Sequence, residues 1–432
     1  MRHLALILAL CLLPTAAFGQ EGSESGVPAD VHGSVALSWY RFDDLTHSAL
    51  DYDRPTLRLS LKANGLWGSD YDLRVRFRSR YSDRPSAVGN APETEWRNRV
   101  YEVSLAYNSP DSPFRFQAGR IISRDMGGVG YTDGVMLTHE ADESWRWGVL
   151  AGTRPDWETS NFQTDVQKYG VFVGFQRGDR AESRFEATLS AVGEYHNSIV
   201  SREFLYLRSS YNHERRFGLY GNAQLDVNRA WREERAGESV SLSALYLRGR
   251  LRTSDSVTLG LGYDTRRNFY THEVRSLPDS LFIDAFRHGA RASADARLPG
   301  NYRLHADFGV RGVESEDDLT YTYSAEVTKK DLAGSGLRVT VRASGFSGPH
   351  ALGTSPSLRL SRSFRGGHSV QASYGGYFYG IESTDTDRLN QWLRVGGQAQ
   401  LPARFYLSAS YEYDWGDDAE GHRMLGEVGY RF

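Results

Sequence analysis

Apolar and polar residues alternate one by one along most of this chain. In residues 71–81, Leu73, Val75 and Phe77 fall at every second position, and arginines occupy the positions between them. Successive side chains of a β-strand point to opposite faces, so this period of two predicts a strand with one apolar and one charged face. The same pattern recurs along the chain, for example at 57–62, 337–344 and 405–414. The sequence therefore predicts an all-β protein.

The predicted strands are about nine to thirteen residues long, whereas strands of soluble sheets average about five or six. A tilted membrane-spanning strand needs roughly nine to eleven residues. The chain divides into about 22 such strands, with 20 to 24 compatible with the pattern. These features predict a single transmembrane antiparallel β-barrel.

The connections between the predicted strands alternate between long and short. The long ones include 82–95, 154–166 and 268–287, whereas short ones such as Ser109-Pro110-Asp111 are rich in turn-forming residues. Barrels of the bacterial outer membrane have this asymmetry, with tight turns on the periplasmic side and longer loops outside. An even number of strands places both ends of the barrel on the periplasmic side.

The last ten residues, 423–432, end in an aromatic residue that follows apolar or aromatic residues at alternate positions. Val428, Tyr430 and Phe432 share one face of this predicted strand. The segment resembles the C-terminal assembly signal of Gram-negative outer-membrane β-barrel proteins. The resemblance implies recognition by the barrel-assembly machinery, a location in the cell outer membrane, and contact with its lipid and lipopolysaccharide.

The N-terminus is predicted to be an export signal. An apolar run, Leu4–Leu13, is too short to span a bilayer and precedes Ala17-Phe18-Gly19, which suits signal peptidase. We therefore expect residues 1–19 to be a cleaved signal peptide, 20–30 a short periplasmic segment, and 31–432 the barrel. The segment 20–30 is too short for an N-terminal plug domain. The single cysteine, Cys11, lies in the signal, so no disulfide or thiolate chemistry is expected in the mature chain.

Composition narrows the class further. The 432 residues carry 51 basic and 54 acidic side chains, a net charge of −3, and the mean hydropathy is −0.52. A mean this polar excludes a bundle of membrane-spanning helices, and the near-neutral charge argues against a nucleic acid as partner. Alternation reconciles the polar mean with a membrane barrel, because every second residue faces water.

If the apolar face contacts lipid, the charged face lines the interior. Four lysines are present, so nearly all of the basic residues are arginines. We expect such an array to attract anions, since arginine makes two-pronged contacts to carboxylate, sulfate or phosphate. The alternative is that cross-strand carboxylates and water neutralise the charge of these arginines. The predicted pore-lining cations are Arg58, Lys62, Arg74, Arg76, Arg78, Arg80, Arg115, Arg120, Arg248, Arg250 and Arg252.

The longest connection, 268–287, is the candidate for a constriction, because a barrel of this size would otherwise leave a wide opening. Pro278-Asp279 reads as the start of a short helix, and apolar residues follow it. The alternative is an external loop that packs on its neighbours. The candidate constriction residues are Pro278, Asp279, Leu281, Phe282, Phe286 and Arg287.

A glycine-rich segment at 118–137 is the second unusual connection. Gly119-Arg120 ends one predicted strand and Asp133-Gly134 opens the next. This spacing resembles a hairpin of porin-like and polysaccharide-export barrels, and the resemblance implies a transport barrel without naming a polysaccharide.

Two functions remain from the sequence. The first is an outer-membrane channel that passes or exports anionic solutes or polymers. The second is a structural or receptor barrel that sheathes or anchors a partner complex without free ion conduction. No pattern of nucleophile and base or of metal ligands is apparent, so neither enzyme activity nor a cofactor or metal is expected.

Overall fold

The computed structural model describes residues 30–66, 68–84, 93–156, 158–179, 181–278, 281–282, 285–314, 316–381, 386–418 and 420–432. The predicted signal peptide, the segment 20–29 and Asp279 lie outside the described residues, so those predictions stay untested. The described chain forms one closed antiparallel barrel of 22 strands. The all-β prediction and the count of about 22 strands are confirmed.

The strands are β1 (Asp30–Asp44), β2 (Tyr52–Leu66), β3 (Tyr71–Arg84), β4 (Glu93–Tyr107), β5 (Phe114–Ile122), β6 (Tyr131–Glu140), β7 (Trp145–Thr153), β8 (Val166–Gly178), β9 (Ser183–His196), β10 (Ile199–His213), β11 (Phe217–Val227), β12 (Val240–Arg252), β13 (Val257–Arg266), β14 (Arg287–Leu298), β15 (Tyr302–Val313), β16 (Leu319–Lys329), β17 (Leu337–Ser347), β18 (Ala351–Ser363), β19 (Ser369–Ile381), β20 (Thr386–Gln400), β21 (Phe405–Gly416) and β22 (Gly421–Arg431). A short α-helix, α1 (Trp231–Ala236), lies between β11 and β12. Turns of 3-10 helix lie at Ser48–Leu50, His272–Val274, Leu332–Gly334, Arg365–Gly367 and Pro402–Arg404. Among the described residues, none of the helices is long and apolar enough to cross a membrane.

Each strand pairs with the next, and β22 pairs with β1 to close the barrel. This closing seam runs from Ser34 opposite Arg431 to Asp44 opposite Gly421. A closed ladder leaves no open sheet edge, which is the condition for placing backbone N–H and C=O groups in a lipid bilayer.

The two faces of the wall differ as the alternation predicts. In β8, Tyr169, Val171 and Val173 are 41–54% exposed. Lys168 and Phe172, which occupy the other set of alternate positions, are at most 4% exposed. The exposed apolar side chains point outward, where lipid covers them, and the intervening residues point into the lumen.

The two ends of the barrel also differ. Both termini of the described chain lie at one end, which we call the termini end, and the opposite end is the loop end. Connections at the termini end are short, whereas the loop end carries the connection 267–286 and the one that contains α1. The predicted asymmetry of the connections is therefore present.

A packed apolar cluster lies inside the lumen. It combines Met126 and Val129, from the connection between β5 and β6, with inward side chains of the surrounding wall. The wall residues of the cluster are Ile121, Leu150, Phe172, Val192 and Phe204, and all of them are at most 4% exposed. Part of the lumen is therefore filled by a connection between strands.

The C-terminal residues complete the seam at the termini end. The Phe432 N–H donates to the Gly33 oxygen at 3.2 Å, and the Gly33 N–H donates to the Phe432 oxygen at 3.0 Å. Val428 is 43% exposed on the lipid face, and the Tyr430 ring contacts the tilted Phe405 ring on the same face, with centroids 4.9 Å apart. The role of Val428, Tyr430 and Phe432 in assembly stays a prediction.

Gly33 offers a test of the seam. A Cβ atom at Gly33 would lie 2.2 Å from the Ser60 oxygen and 2.8 Å from the Phe432 ring. We predict that Gly33→Ala destabilises the folded barrel by about 1–3 kcal/mol, the usual effect of overpacking. The measurement is the fraction of heat-modifiable folded protein along a urea titration.

Gly426 supplies the matched control, because a Cβ there meets nothing within 4 Å although the residue lies in β22 of the same seam. Gly426→Ala is expected to leave the urea midpoint unchanged. Equal midpoints for the two alanine variants would show that Phe432 does not constrain the seam.

Candidate pore lining and constriction

Inward cations cover the lumen side of three neighbouring strands, and we call this surface the arginine wall. Its members are Arg54, Arg58, Lys62, Arg74, Arg76, Arg78, Arg80, Arg97 and Arg99. Strand register places Arg58, Arg78 and Arg99 in one row across β2, β3 and β4. The next row places Arg97 opposite Arg80. Like charges directly opposite each other destabilise a sheet, so the wall is held together by the barrel and not by its own charges.

A β-bulge brings Arg97 and Arg99 into this wall. Strict alternation from the inward Glu102 would send both arginines toward lipid. The register between β3 and β4 shifts after Arg76, so that Tyr101 is the extra residue and Arg99 lies opposite Arg78. A bulge reverses the facing of every residue beyond it. Strict alternation therefore does not place these two arginines in the lumen, and Arg54, the third residue of β2, precedes the alternating stretch at 57–62.

Few described carboxylates pair with the β2 and β3 members of the wall. Arg58 pairs with Glu427 at 2.7 Å, and Arg74 lies 4.0 Å from Glu102. Arg76, Arg78 and Arg80 have no carboxylate within 4.0 Å in the part of the chain that the structure describes. The buried Nε atoms without a hydrogen-bond partner include those of Arg54, Arg74, Arg78 and Arg80.

The other predicted pore-lining cations divide into paired and unpaired groups. Arg115 pairs with Glu140 at 2.9 Å, and Arg252 pairs with Asp255 at 3.0 Å. Arg120 makes two 2.6 Å hydrogen bonds to Asp133. Arg115 and Arg120 therefore follow the alternative in which a cross-strand carboxylate balances each cation. Lys62, Arg248 and Arg250 have no carboxylate within 4.0 Å among the described residues.

The connection 123–130 folds into the lumen, and we call it the inner loop. Met126 and Val129 pack in the lumen cluster, each 1% exposed. Gly127 lies against the Tyr206 ring of β10, where a Cβ atom would be 2.3 Å from ring carbons. The glycine-rich composition thus lets the backbone approach the wall closely at β10.

Polar contacts fix both sides of the inner loop. Asp125 pairs with Arg146 of β7 at 2.6 Å, and Arg208 of β10 donates to the Arg124 oxygen at 3.2 Å. Lys168 of β8, 2% exposed, donates to the Val129 oxygen and pairs with Glu194 at 3.0 Å. The Arg120–Asp133 pair closes the base of the loop, so the residues that resemble a porin-like hairpin hold this loop in place.

Residues 268–275 cross the mouth toward β10, and we call this segment the strap. The Arg202 guanidinium lies 3.2 Å from the centre of the Phe269 ring and makes two 2.8 Å hydrogen bonds to Asp226. The Tyr270 oxygen accepts a 3.1 Å bond from Arg232 of α1. Arg232 also binds Asp226 at 2.8 Å. One fully buried carboxylate therefore joins the barrel wall, α1 and the strap.

The far half of the strap rests on the ends of β9 and β10. The His272 ring stacks on the His196 ring with centroids 4.1 Å apart, and the His272 N–H donates to the Ser201 hydroxyl at 3.2 Å. Burial and then the neighbouring His196 lower the pKa of His272. Burial alone would raise the pKa of Glu273, but hydrogen bonds from Thr271 and Arg154 outweigh it and lower that pKa to about 2.

The predicted constriction residues follow the strap in the sequence and are not part of it. Phe282 stacks on Tyr270 at 4.0 Å, while Leu281 is 69% exposed. The Leu281 N–H donates to the Pro278 oxygen at 3.0 Å, a turn at the place where a helix start was predicted. Phe286 lies under the Arg267 guanidinium at 4.9 Å, and Arg287 begins β14. Asp279 lies outside the described residues.

A cleft of about 290 Å³ remains between the inner loop, the strap and the connection after β7. Arg99, Arg154 and Phe269 are among its lining residues. Within the described ranges, no group of three or more His, Cys, Asp or Glu side chains is placed to hold a metal ion.

The strap should loosen in acid. A His whose pKa is lowered by folding favours the neutral form, so its contribution to stability is lost as the pH falls below its ordinary value of about 6.5. The contribution of Glu273 is lost only at lower pH, between 4.5 and about 2. We predict that a nitroxide label on Ser276→Cys is more mobile at pH 5 than at pH 7.5, as measured by electron paramagnetic resonance.

The control is the same label in His272→Gln, which cannot take up the proton. Its spectrum is expected to be the same at both pH values. A wild-type strap whose label is equally immobile at pH 5 and pH 7.5 would contradict the prediction.

No protein-family model matches this chain, and no curated protein matches it. Among solved structures, the E. coli P pilus tip assembly intermediate PapC-PapD-PapK-PapG aligns with 95% of this chain and 62% of that chain, at 11% identity and a TM-score of 0.52. The P pilus usher (PapC) translocation pore aligns over 93% and 99%, at 10% identity and a TM-score of 0.49. Acinetobacter baumannii OccAB2 aligns over 95% and 99%, at 8% identity and 0.45. The similarity concerns the fold, and a closed barrel with an apolar exterior is the form in which β-proteins span the outer membrane. The chain is a closed 22-strand β-barrel with the fold of a membrane-spanning barrel.

Proposed function

We propose that this barrel is an outer-membrane channel that admits anionic solutes through an arginine-lined lumen. The arginine wall is the observation that carries the proposal. It gathers nine cations on three adjacent strands, and among the described residues Glu427 and Glu102 are the carboxylates within 4.0 Å of its seven members on β2 and β3. The role is transport and not catalysis.

Charge density, not net charge, supports the anion preference. The chain as a whole is slightly acidic, but a solute in the lumen experiences the nearest wall. A cleft lined by one sign of charge with low-dielectric walls raises the local concentration of counter-ions. Rings or rows of arginine favour anion passage in the same way. Arg248 and Arg250 extend this positive surface to β12, on another part of the lumen wall.

The inner loop and the strap supply the constriction that a wide barrel needs. Barrels of about 16–18 strands already enclose an aqueous channel, and this one has 22. The inner loop reaches from β5 to Tyr206 of β10, and the strap covers Arg202 of the same strand. We place the narrowing at these two segments.

Removing charge from the wall should reduce anion selectivity. We predict that Arg76→Gln/Arg78→Gln/Arg80→Gln lowers the chloride-to-potassium permeability ratio by about threefold or more. The reason is that the positive potential of a few kT in the lumen, which attracts chloride, is lost with these charges. The measurement is the reversal potential of purified protein in planar bilayers under a salt gradient.

The matched control removes three arginines from turns at the termini end, Arg215→Gln/Arg365→Gln/Arg404→Gln. This control is expected to keep the wild-type reversal potential. A wall variant that keeps it too would count against the arginine wall as the selectivity element. A wild-type barrel that conducts no ions would favour a structural barrel that encloses a partner.

Removing the strap should widen the channel. Arg266 and Arg287 lie opposite each other in β13 and β14, so a short linker can join these strands. We predict that replacing 268–285 by Gly-Ser-Gly-Ser raises single-channel conductance roughly 1.5-fold or more. The comparison variant keeps the strap and replaces 276–285 by a Gly-Ser sequence of equal length, and its conductance is expected to stay at the wild-type value. An increase in the conductance of the comparison variant would instead assign the constriction to residues 276–285.

A further inference from the structure

Four arginines of the wall form a two-by-two array, which we call the guanidinium square. Its members are Arg78 and Arg80 of β3 and Arg99 and Arg97 of β4, paired opposite each other in that order. Neighbouring strands lie about 4.8 Å apart, and alternate residues of one strand lie about 6.8 Å apart. The square therefore presents four cations over an area that one small molecule can cover.

The β3 side of the square lacks local compensation. Arg78 and Arg80 have no carboxylate within 4.0 Å among the residues described, and their buried Nε atoms have no hydrogen-bond partner. The charged neighbours that act most on Arg80 are Arg54, Arg78 and Arg97, all of them cations. Buried donors without partners are rare in proteins and require an explanation. An anion bound against them would provide the missing acceptors.

The bulge residue Tyr101 organises the square. Its ring centre lies 5.4 Å from the Arg78 guanidinium carbon and 5.7 Å from that of Arg99. Tyr101 also contacts Tyr131, at 6.1 Å, where β6 begins immediately after the inner loop. The square thus lies beside the inner loop, and a solute that passes the narrowing passes the square.

Arg120 binds the backbone next to the bulge. Its guanidinium, held by two bonds to Asp133, donates to the Val100 oxygen at 3.0 Å and to the Ser160 oxygen at 2.8 Å. Val100 precedes the bulge residue directly. The Arg120–Asp133 pair therefore positions the strand segment that turns Arg97 and Arg99 into the lumen, without being part of the square itself.

We propose that the guanidinium square is a saturable binding site for solutes that carry two or more oxyanion groups, and that Arg120 and Asp133 are its positioning residues. This inference rests on the proposed function and names the solute class of that channel. Each guanidinium can hold one carboxylate, sulfate or phosphate group by two parallel hydrogen bonds. A monovalent anion satisfies one or two members of the square, whereas a multivalent anion spans several members that the fold has already placed.

The test is block of single-channel current by citrate, at constant ionic strength, with acetate as the monovalent comparison. Citrate is expected to block saturably, at a concentration at least about tenfold below any effect of acetate. Arg78→Gln/Arg80→Gln should raise the half-blocking citrate concentration about tenfold or more, because hydrogen bonds to charged groups are strong. The matched control, Arg248→Gln/Arg250→Gln, removes two lumen arginines elsewhere and should leave the half-blocking concentration within about twofold. Equal shifts in the two variants would overturn the square as a site.

Asp133→Asn separates positioning from simple charge. This variant removes a negative charge beside the lumen, so a purely electrostatic effect would strengthen citrate block. Loss of the Arg120 clamp should instead weaken the block, with anion selectivity retained. Stronger block in Asp133→Asn would overturn the positioning role, and heat-modifiability confirms that the variant is folded.

A second readout keeps this inference separate from channel function. Calorimetric titration of the detergent-solubilised barrel measures citrate and tripolyphosphate binding without ion flow. Binding that depends on Arg78 and Arg80 in a non-conducting barrel would support the site although the channel proposal had failed. An anion-selective channel with no saturable block and no calorimetric binding would overturn the site and leave the channel. The tighter of the two probes identifies carboxylate or phosphate as the preferred group.

Discussion

Backbone hydrogen bonding in lipid is the constraint on which the rest of this structure depends. The bilayer core offers no water to the N–H and C=O groups, so each strand must be paired on both sides. The seam between β1 and β22 meets this condition for the last two free edges. Once the ladder is closed, the period of two assigns every residue to lipid or lumen. The arginines can then be numerous without exposing charge to the membrane.

Closure of 22 strands creates a second problem, an interior too wide to be filled by wall side chains alone. Residues of two connections solve part of it. The inner loop brings Met126 and Val129 into a dry cluster, and the strap is tied to the wall through Asp226, which binds both Arg202 and Arg232. The buried carboxylate is balanced by two guanidinium groups, so its burial is compensated by charge and hydrogen bonds. Breaking either contact would leave a buried guanidinium without its carboxylate.

The sequence predicted the fold well because the barrel repeats one simple rule. Period-two stretches such as 71–81 located strands and faces, and the alternating lengths of the connections indicated the two ends. The site was harder to predict where the rule is interrupted. The extra residue at Tyr101 reverses the facing of Arg97 and Arg99, and no composition signal marks a bulge in a strand rich in charged residues. The sequence marks the inner loop by the Gly119-Arg120 and Asp133-Gly134 pairs that flank it. That it packs into the lumen depends on inward Phe172 and Phe204, which lie far away in the sequence.

Closure of the barrel explains why strong local repulsion is tolerated in this wall. In an open sheet, rows of opposing arginines would favour a register slip that moves one set to the other face. Here a register slip would carry the arginines into lipid and break the closed ladder. The slip would therefore cost more free energy than the repulsion between the arginines. Because Arg120 and Asp133 also hold the strand beside the bulge, the wall keeps its charges in a fixed arrangement before any solute arrives. Preorganised charge of this kind needs no rearrangement on binding, which is what fast passage of anions through a channel requires.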